Sequence, residues 1–88
     1  MNTIIQRNYK SIQNRGLIKK NTSHVDFMHK LQEEVQEVKN ELTSGQVNRV
    51  KLFFELADVI LVCLNWIWHY KENPEKYIKE KIVINENR

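Results

Sequence analysis

From Leu52 to Trp68 the chain reads LFFELADVILVCLNWIW, apolar almost without a break. A helix that is apolar on most sides belongs at the centre of the packing. Glu55 and Asp58 interrupt the run, three residues apart, and therefore project from one face of that helix. An ionised carboxylate in apolar surroundings is costly unless it is paired or holds a cation. Two side by side repel and raise that cost. The fold must bring positive charge to Glu55 and Asp58.

The chain has 88 residues, enough for one small domain over 1–88. Two glycines and one proline leave little material for a turn-rich β fold and favour long helices. A domain of this size buries a modest core, which a partner subunit often completes. The formal charge is +3, unevenly spread. Arg7, Lys10, Arg15, Lys19 and Lys20 precede the first acid, and the middle of the chain is acidic. Such a division suits a phosphate-bearing ligand bridged by metal, or a solvated surface. Cys63 stands alone inside the apolar run, as a small hydrophobe does. No Cys/His constellation suggests zinc. The apolar run is shorter than the roughly 20 residues of a membrane span and carries two acids and Asn65. The opening MNTIIQRNYK has no apolar segment of signal-peptide kind. The expectation is a soluble, cytoplasmic protein.

Ile4, Ile5, Tyr9 and Ile12 predict a helix over 3–14, ended by Arg15-Gly16. Ser23 and Asp26 form an acidic variant of the capping box and predict the next start. Phe27, Met28, Leu31, Val35, Val38 and Leu42 define its buried face, and Gly45 closes it. Glu34 and Glu37 border that face, Glu33 points furthest from it, and Glu41 also lies off it. The third helix runs from about Val47 to Tyr70. Asn73-Pro74 restarts the chain, Asn at the cap and Pro at the first helical position. The last helix, about 75–87, turns Tyr77, Ile78 and Ile82 inward and carries Lys81, Asn85 and Arg88 on one polar stripe. Four helices joined by short loops make an all-α, four-helix-bundle-like fold.

The turn around Gly45 makes the second and third helices antiparallel neighbours. Glu34 and Glu37 then reach the height of Glu55 and Asp58, and four carboxylates converge. Each like-charged pair at about 4 Å costs several kcal/mol at an effective dielectric near 20. Oxygen ligands without His or Cys fit Mg²⁺, or Mn²⁺. Mg²⁺ held by few carboxylates keeps positions for water and substrate phosphates.

Glu33-Glu34-x-x-Glu37 followed by Glu55-x-x-Asp58 is similar to the EExxE…ExxD signature of the MazG-like all-α nucleoside triphosphate pyrophosphohydrolases. Lys30-Leu31 before the first half, Val59 after the second, and Lys81-x-x-x-Asn85-x-x-Arg88 in the last helix fit the same pattern. Arg15-Gly16-Leu17-Ile18 resembles short phage-type members. The resemblance spans about residues 15–88. It implies cleavage of a nucleoside triphosphate between the α and β phosphates, giving monophosphate and pyrophosphate. It implies Mg²⁺ at Glu34, Glu37, Glu55 and Asp58, and Glu33 as the group that positions or deprotonates the attacking water. Lys81 and Asn85 would meet phosphate or sugar, with Arg88 assisting and Lys30 a further phosphate contact. Family members form homodimers or dimers of dimers with sites near subunit contacts, and include house-cleaning enzymes. They often extend beyond the position of Arg88.

Each feature has a plainer counterpart. The glutamates of the second helix can be a solvated face, and Lys30 can simply pair with Glu34 one turn on. Trp66, Trp68, Phe53 and Phe54 read as core or dimer interface. His24, His29 and His69 look unclustered and take no role. A phosphoribosyl-ATP pyrophosphohydrolase of the same fold is an alternative, though the Arg-Gly-Leu-Ile and Lys/Asn/Arg context fits it less well. A non-catalytic helical interaction module is the other. No aromatic interleaving or recognised motif supports nucleic acid as a partner.

Overall fold

The computed structural model describes residues 2–88, and among them there are four helices and no strand. The helices are α1 (Asn2–Asn14), α2 (His24–Leu42), α3 (Arg49–His69) and α4 (Pro74–Glu86). The all-α expectation holds, with boundaries within two residues of those read from the sequence. None of the helices is long and apolar enough to cross a membrane.

Local chemistry sets most of the ends. Gly16, at φ 74°, closes α1: its N–H donates to the Gln13 carbonyl and the Leu17 N–H donates to that of Ile12, both at 3.0 Å. This is the paired Schellman arrangement, which needs a left-handed residue. The Ser23–Asp26 capping box forms as expected, with the Ser23 N–H donating to Asp26 at 2.8 Å and the Asp26 N–H to Ser23 Oγ at 3.2 Å. α3 ends on a second Schellman pair, Lys71 N–H to Trp68 O and Glu72 N–H to Ile67 O. Here the left-handed residue is Lys71, at φ 62°, where a side chain is disfavoured.

α3 is central, as its composition demands. α2 packs along it as an antiparallel hairpin, and α1 lays Ile5, Tyr9 and Ile12, a spacing of one helical face, toward it. Among the described residues, Ile5, Ile18, Phe27, Val62, Leu64 and Pro74 are the buried apolar ones.

α4 departs from expectation. Pro74 is buried, but Tyr77, Ile78 and Ile82 are exposed rather than turned inward. After the turn at Lys71, α4 makes its main contact with α3 alone. The helices occupy 41 × 40 × 24 Å, so the layer is flat and the fourth helix does not close a bundle within one chain. Met28 and Leu42 on α2 and Phe53, Phe54, Leu56 and Ile60 on α3 are likewise exposed. Hydrophobic periodicity marks these faces for burial, and one chain supplies too few helices to cover them.

Candidate functional site

The hairpin register is fixed by a clasp at its closed end. Asn48 caps α3, its Oδ1 accepting from the Lys51 N–H at 3.1 Å. In an ordinary capping box the third helical residue would accept the cap's own N–H. That residue is Lys51, which can only donate. Glu41 of α2 takes over: its carboxylate accepts from the Asn48 N–H at 2.7 Å and pairs with Lys51 at 3.6 Å. Glu41 is buried, at 6 % exposure, contrary to its place among the solvated glutamates.

Two turns away along both helices, Glu34 faces Glu55 and Asp58. One carboxylate oxygen from each lies within 4.8 Å of the others. Glu34 and Glu55 are half-buried and Asp58 is exposed. Partial loss of surrounding water to neighbouring side chains, then the Glu34 carboxylate, push the Asp58 carboxyl above its ordinary range, and Lys30 opposes them. The Lys30 ammonium lies 3.2 Å from Glu34 and 3.6 Å from Glu33, and its bond to Glu34 holds its protonated form above the ordinary lysine range. One ammonium is thus shared among several carboxylates. The donor set is all oxygen, from two rigid helices, with surplus negative charge: the chemistry a hard divalent cation satisfies.

A cleft of about 500 Å³ adjoins the trio. Glu33, Glu34, Lys30 and Asp58 line one part of it, with Asn8 and Arg15 at α1 and the following turn. Ile12, Ile18, Phe27, Leu61 and Val62 supply apolar wall, and Asn65 lines it two turns along α3 from Asp58.

The expected residues divide accordingly. Glu34, Glu55 and Asp58 come together. Glu37 is exposed and lies outside the trio. Glu33, read as pointing furthest from the core, has a side chain 70 % exposed yet borders the cleft. Lys30 reaches the site through its ion pairs. Lys81 and Asn85 line a separate shallow groove on α4, and Arg88 is exposed beyond its end, so the single chain does not bring these three into the cleft.

Sequence reasoning gave the histidines no role, and the structure clusters two of them. The Trp66 indole N–H donates to His24 Nδ1 at 2.9 Å, and the His24 ring stacks on Tyr70 at 4.0 Å. His69 packs against Phe27 and lies 3.0 Å, through Nε2, from the Thr22 carbonyl. That carbonyl can only accept, so Nε2 carries the proton and Nδ1 accepts from the Tyr9 hydroxyl at 2.7 Å. This cluster ties α1, the loop before α2 and the end of α3 together at the hairpin's open end. Asn65 and Arg15 were also missed as cleft residues. The available signal for Asn65 was a lone amide in an apolar helix, seven residues after Asp58.

No family model, curated protein or solved structure matches the chain.

Proposed function

We propose that this protein is a Mg²⁺-dependent nucleoside triphosphate pyrophosphohydrolase of the MazG-like kind. The observation that carries the reading is the meeting of Glu34 with Glu55 and Asp58, within 4.8 Å, beside a cleft with cations at its edge. Those three residues would hold Mg²⁺ or Mn²⁺, and Glu37, outside the trio but one turn from Glu34 on α2, would be a further oxygen donor once a cation draws it in. A divalent cation there neutralises phosphate charge and lowers the pKa of a coordinated water.

The chain's own residues have definite tasks. Lys30 and Arg15 offer positive charge to a polyphosphate. Glu33, exposed at the cleft's edge, accepts the proton of the water that attacks the α-phosphorus. The new P–O bond forms as the bond to the bridging oxygen breaks, and pyrophosphate leaves with that oxygen. The chain works as a homodimer or dimer of dimers. Support comes from the exposed apolar residues of α3 and α4, among them Phe53, Phe54, Ile78 and Ile82. An oligomer built on those faces gives Lys81, Asn85 and Arg88 a route to phosphate that one chain does not.

The test is incubation of purified protein with a panel of ribo- and deoxyribonucleoside triphosphates and Mg²⁺ or Mn²⁺, reading out monophosphate and pyrophosphate. Turnover that disappears in Glu55→Gln supports the reading. No turnover across the panel with either metal refutes it.

A further inference from the structure

Asn65 is 2 % exposed, and its Oδ1 has no hydrogen-bond partner among the described residues. A buried acceptor left unpaired costs stability, and an apolar residue there would avoid that cost. The same residue lines the cleft beside the acidic trio. It lies two turns along α3 from Asp58, on the same face, about 10 Å by helix rise. Between them Leu61 and Val62 give the cleft an apolar floor, with Ile18 and Phe27 among its other walls. The cleft therefore has three zones in a line: carboxylates that suit a cation, apolar wall, and one amide oxygen that requires an N–H.

A nucleotide has the matching order: charged phosphates, a ring with two apolar faces, and a base edge that pairs N–H with an acceptor. Its length from phosphate to base edge is comparable to the separation of Asp58 and Asn65. Resting on the pyrophosphohydrolase reading for the phosphate end, we infer that the cleft is the base-binding site and that Asn65 recognises the base, Oδ1 accepting an N–H from its edge. Binding supplies the partner that the free protein lacks. A site built around a buried hydrogen-bonding group discriminates strongly against ligands that leave it unpaired.

Two substrates separate the base from the phosphates: a nucleoside triphosphate chosen from the panel by turnover, and inorganic tripolyphosphate, which has no base. Asn65→Leu, which removes the amide and keeps its bulk, is expected to lower kcat/KM for the nucleotide by about tenfold to a hundredfold. Tripolyphosphate turnover is expected to stay within about twofold. Equal loss on both substrates, or no loss on either, overturns the inference. The metal-free Tm of Asn65→Leu is expected to equal or exceed that of the wild type, because an unpaired buried acceptor is gone. A lower Tm shows that the amide supports the fold, and also overturns it.

Nucleoside binding without metal, followed by amide chemical shifts of the wild type and Asn65→Leu, tells the two readings apart. Shifts at the cleft that vanish in Asn65→Leu, with no hydrolysis of any triphosphate, sustain the base site and sink the enzymatic reading. Hydrolysis with no nucleoside shifts at the cleft does the reverse.

Discussion

Replacing Asp58 by Asn should raise the stability of the metal-free protein and lower its response to Mg²⁺. One carboxylate oxygen each of Asp58, Glu34 and Glu55 lies no more than 4.8 Å from the others. At that distance two unit charges repel by about 1 kcal/mol in water and about 3.5 kcal/mol at an effective dielectric near 20. Asp58 is exposed, so screening favours the lower figure, and Lys30 offsets part of the repulsion. A net gain of about 1 kcal/mol follows for Asp58→Asn, or about 4–8 °C in Tm for a domain of this size. With Mg²⁺ at ten times its Kd, the wild type gains about 1.4 kcal/mol, and the variant, short of one ligand, gains less. Thermal unfolding followed by circular dichroism, in chelator and then in Mg²⁺, should show the variant ahead in the first and its lead lost or reversed in the second. A lower Tm for Asp58→Asn in chelator would show that the trio is not repulsive. Equal responses of both proteins to Mg²⁺ would show that the ion binds elsewhere. The pH dependence has a definite sign. Asp58 titrates above its ordinary 3.8 in the folded chain, so there the native state binds more protons than the unfolded one. Its contribution to metal-free stability is therefore greatest in acid and falls as pH rises from the ordinary range through the raised one, and Asp58→Asn removes that slope.

Other substitutions probe the elements that hold the site. Glu41→Ala strips the Asn48 N–H of a charged acceptor and should cost about 2–3 kcal/mol in urea unfolding, while Glu41→Gln, which still accepts, should cost about 1 kcal/mol or less. Lys71→Gly relieves a side chain at φ 62° and should stabilise the fold by about 1 kcal/mol in the same assay. Asp26 is held below its ordinary range by the Ser23 backbone and side-chain bonds, so its contribution is present above that range and lost as pH falls toward the lowered one. Stability profiles of Asp26→Asn and the wild type should therefore converge in acid. Ile82→Lys, on the exposed stripe of α4, should shift the sedimentation of an oligomer toward the monomer without lowering the helical content of the chain.

The parts of this fold that follow from neighbouring residues were legible in the chain. Ser23 with Asp26, Asn73 with Pro74, and Gly16 each act within one turn, and each forms as its chemistry predicts. The approach of Glu34 to Glu55 and Asp58 was legible too, because a short turn leaves an antiparallel pair few registers. Glu41 was not, because its partners Asn48 and Lys51 lie across that turn, and periodicity describes only one helix at a time. His24 with Tyr70, and His69 with Tyr9, meet across most of the chain's length, where no local signal reaches. The exposed stripe on α4 has another cause: a pattern of apolar residues states that a face is to be covered without stating which molecule covers it.

The Glu41 clasp makes the connection between α2 and α3 a splice point. The alignment of the carboxylates is held by a side chain gripping the start of α3, so the span between Thr43 and Gln46 need only be long enough to return. Peptide added there should leave the site's geometry intact. One residue added between Asn48 and Glu55 would swing Glu55 and Asp58 by about 100° around their helix, away from Glu34. Engineers and natural variation alike would find the first position permissive and the second closed.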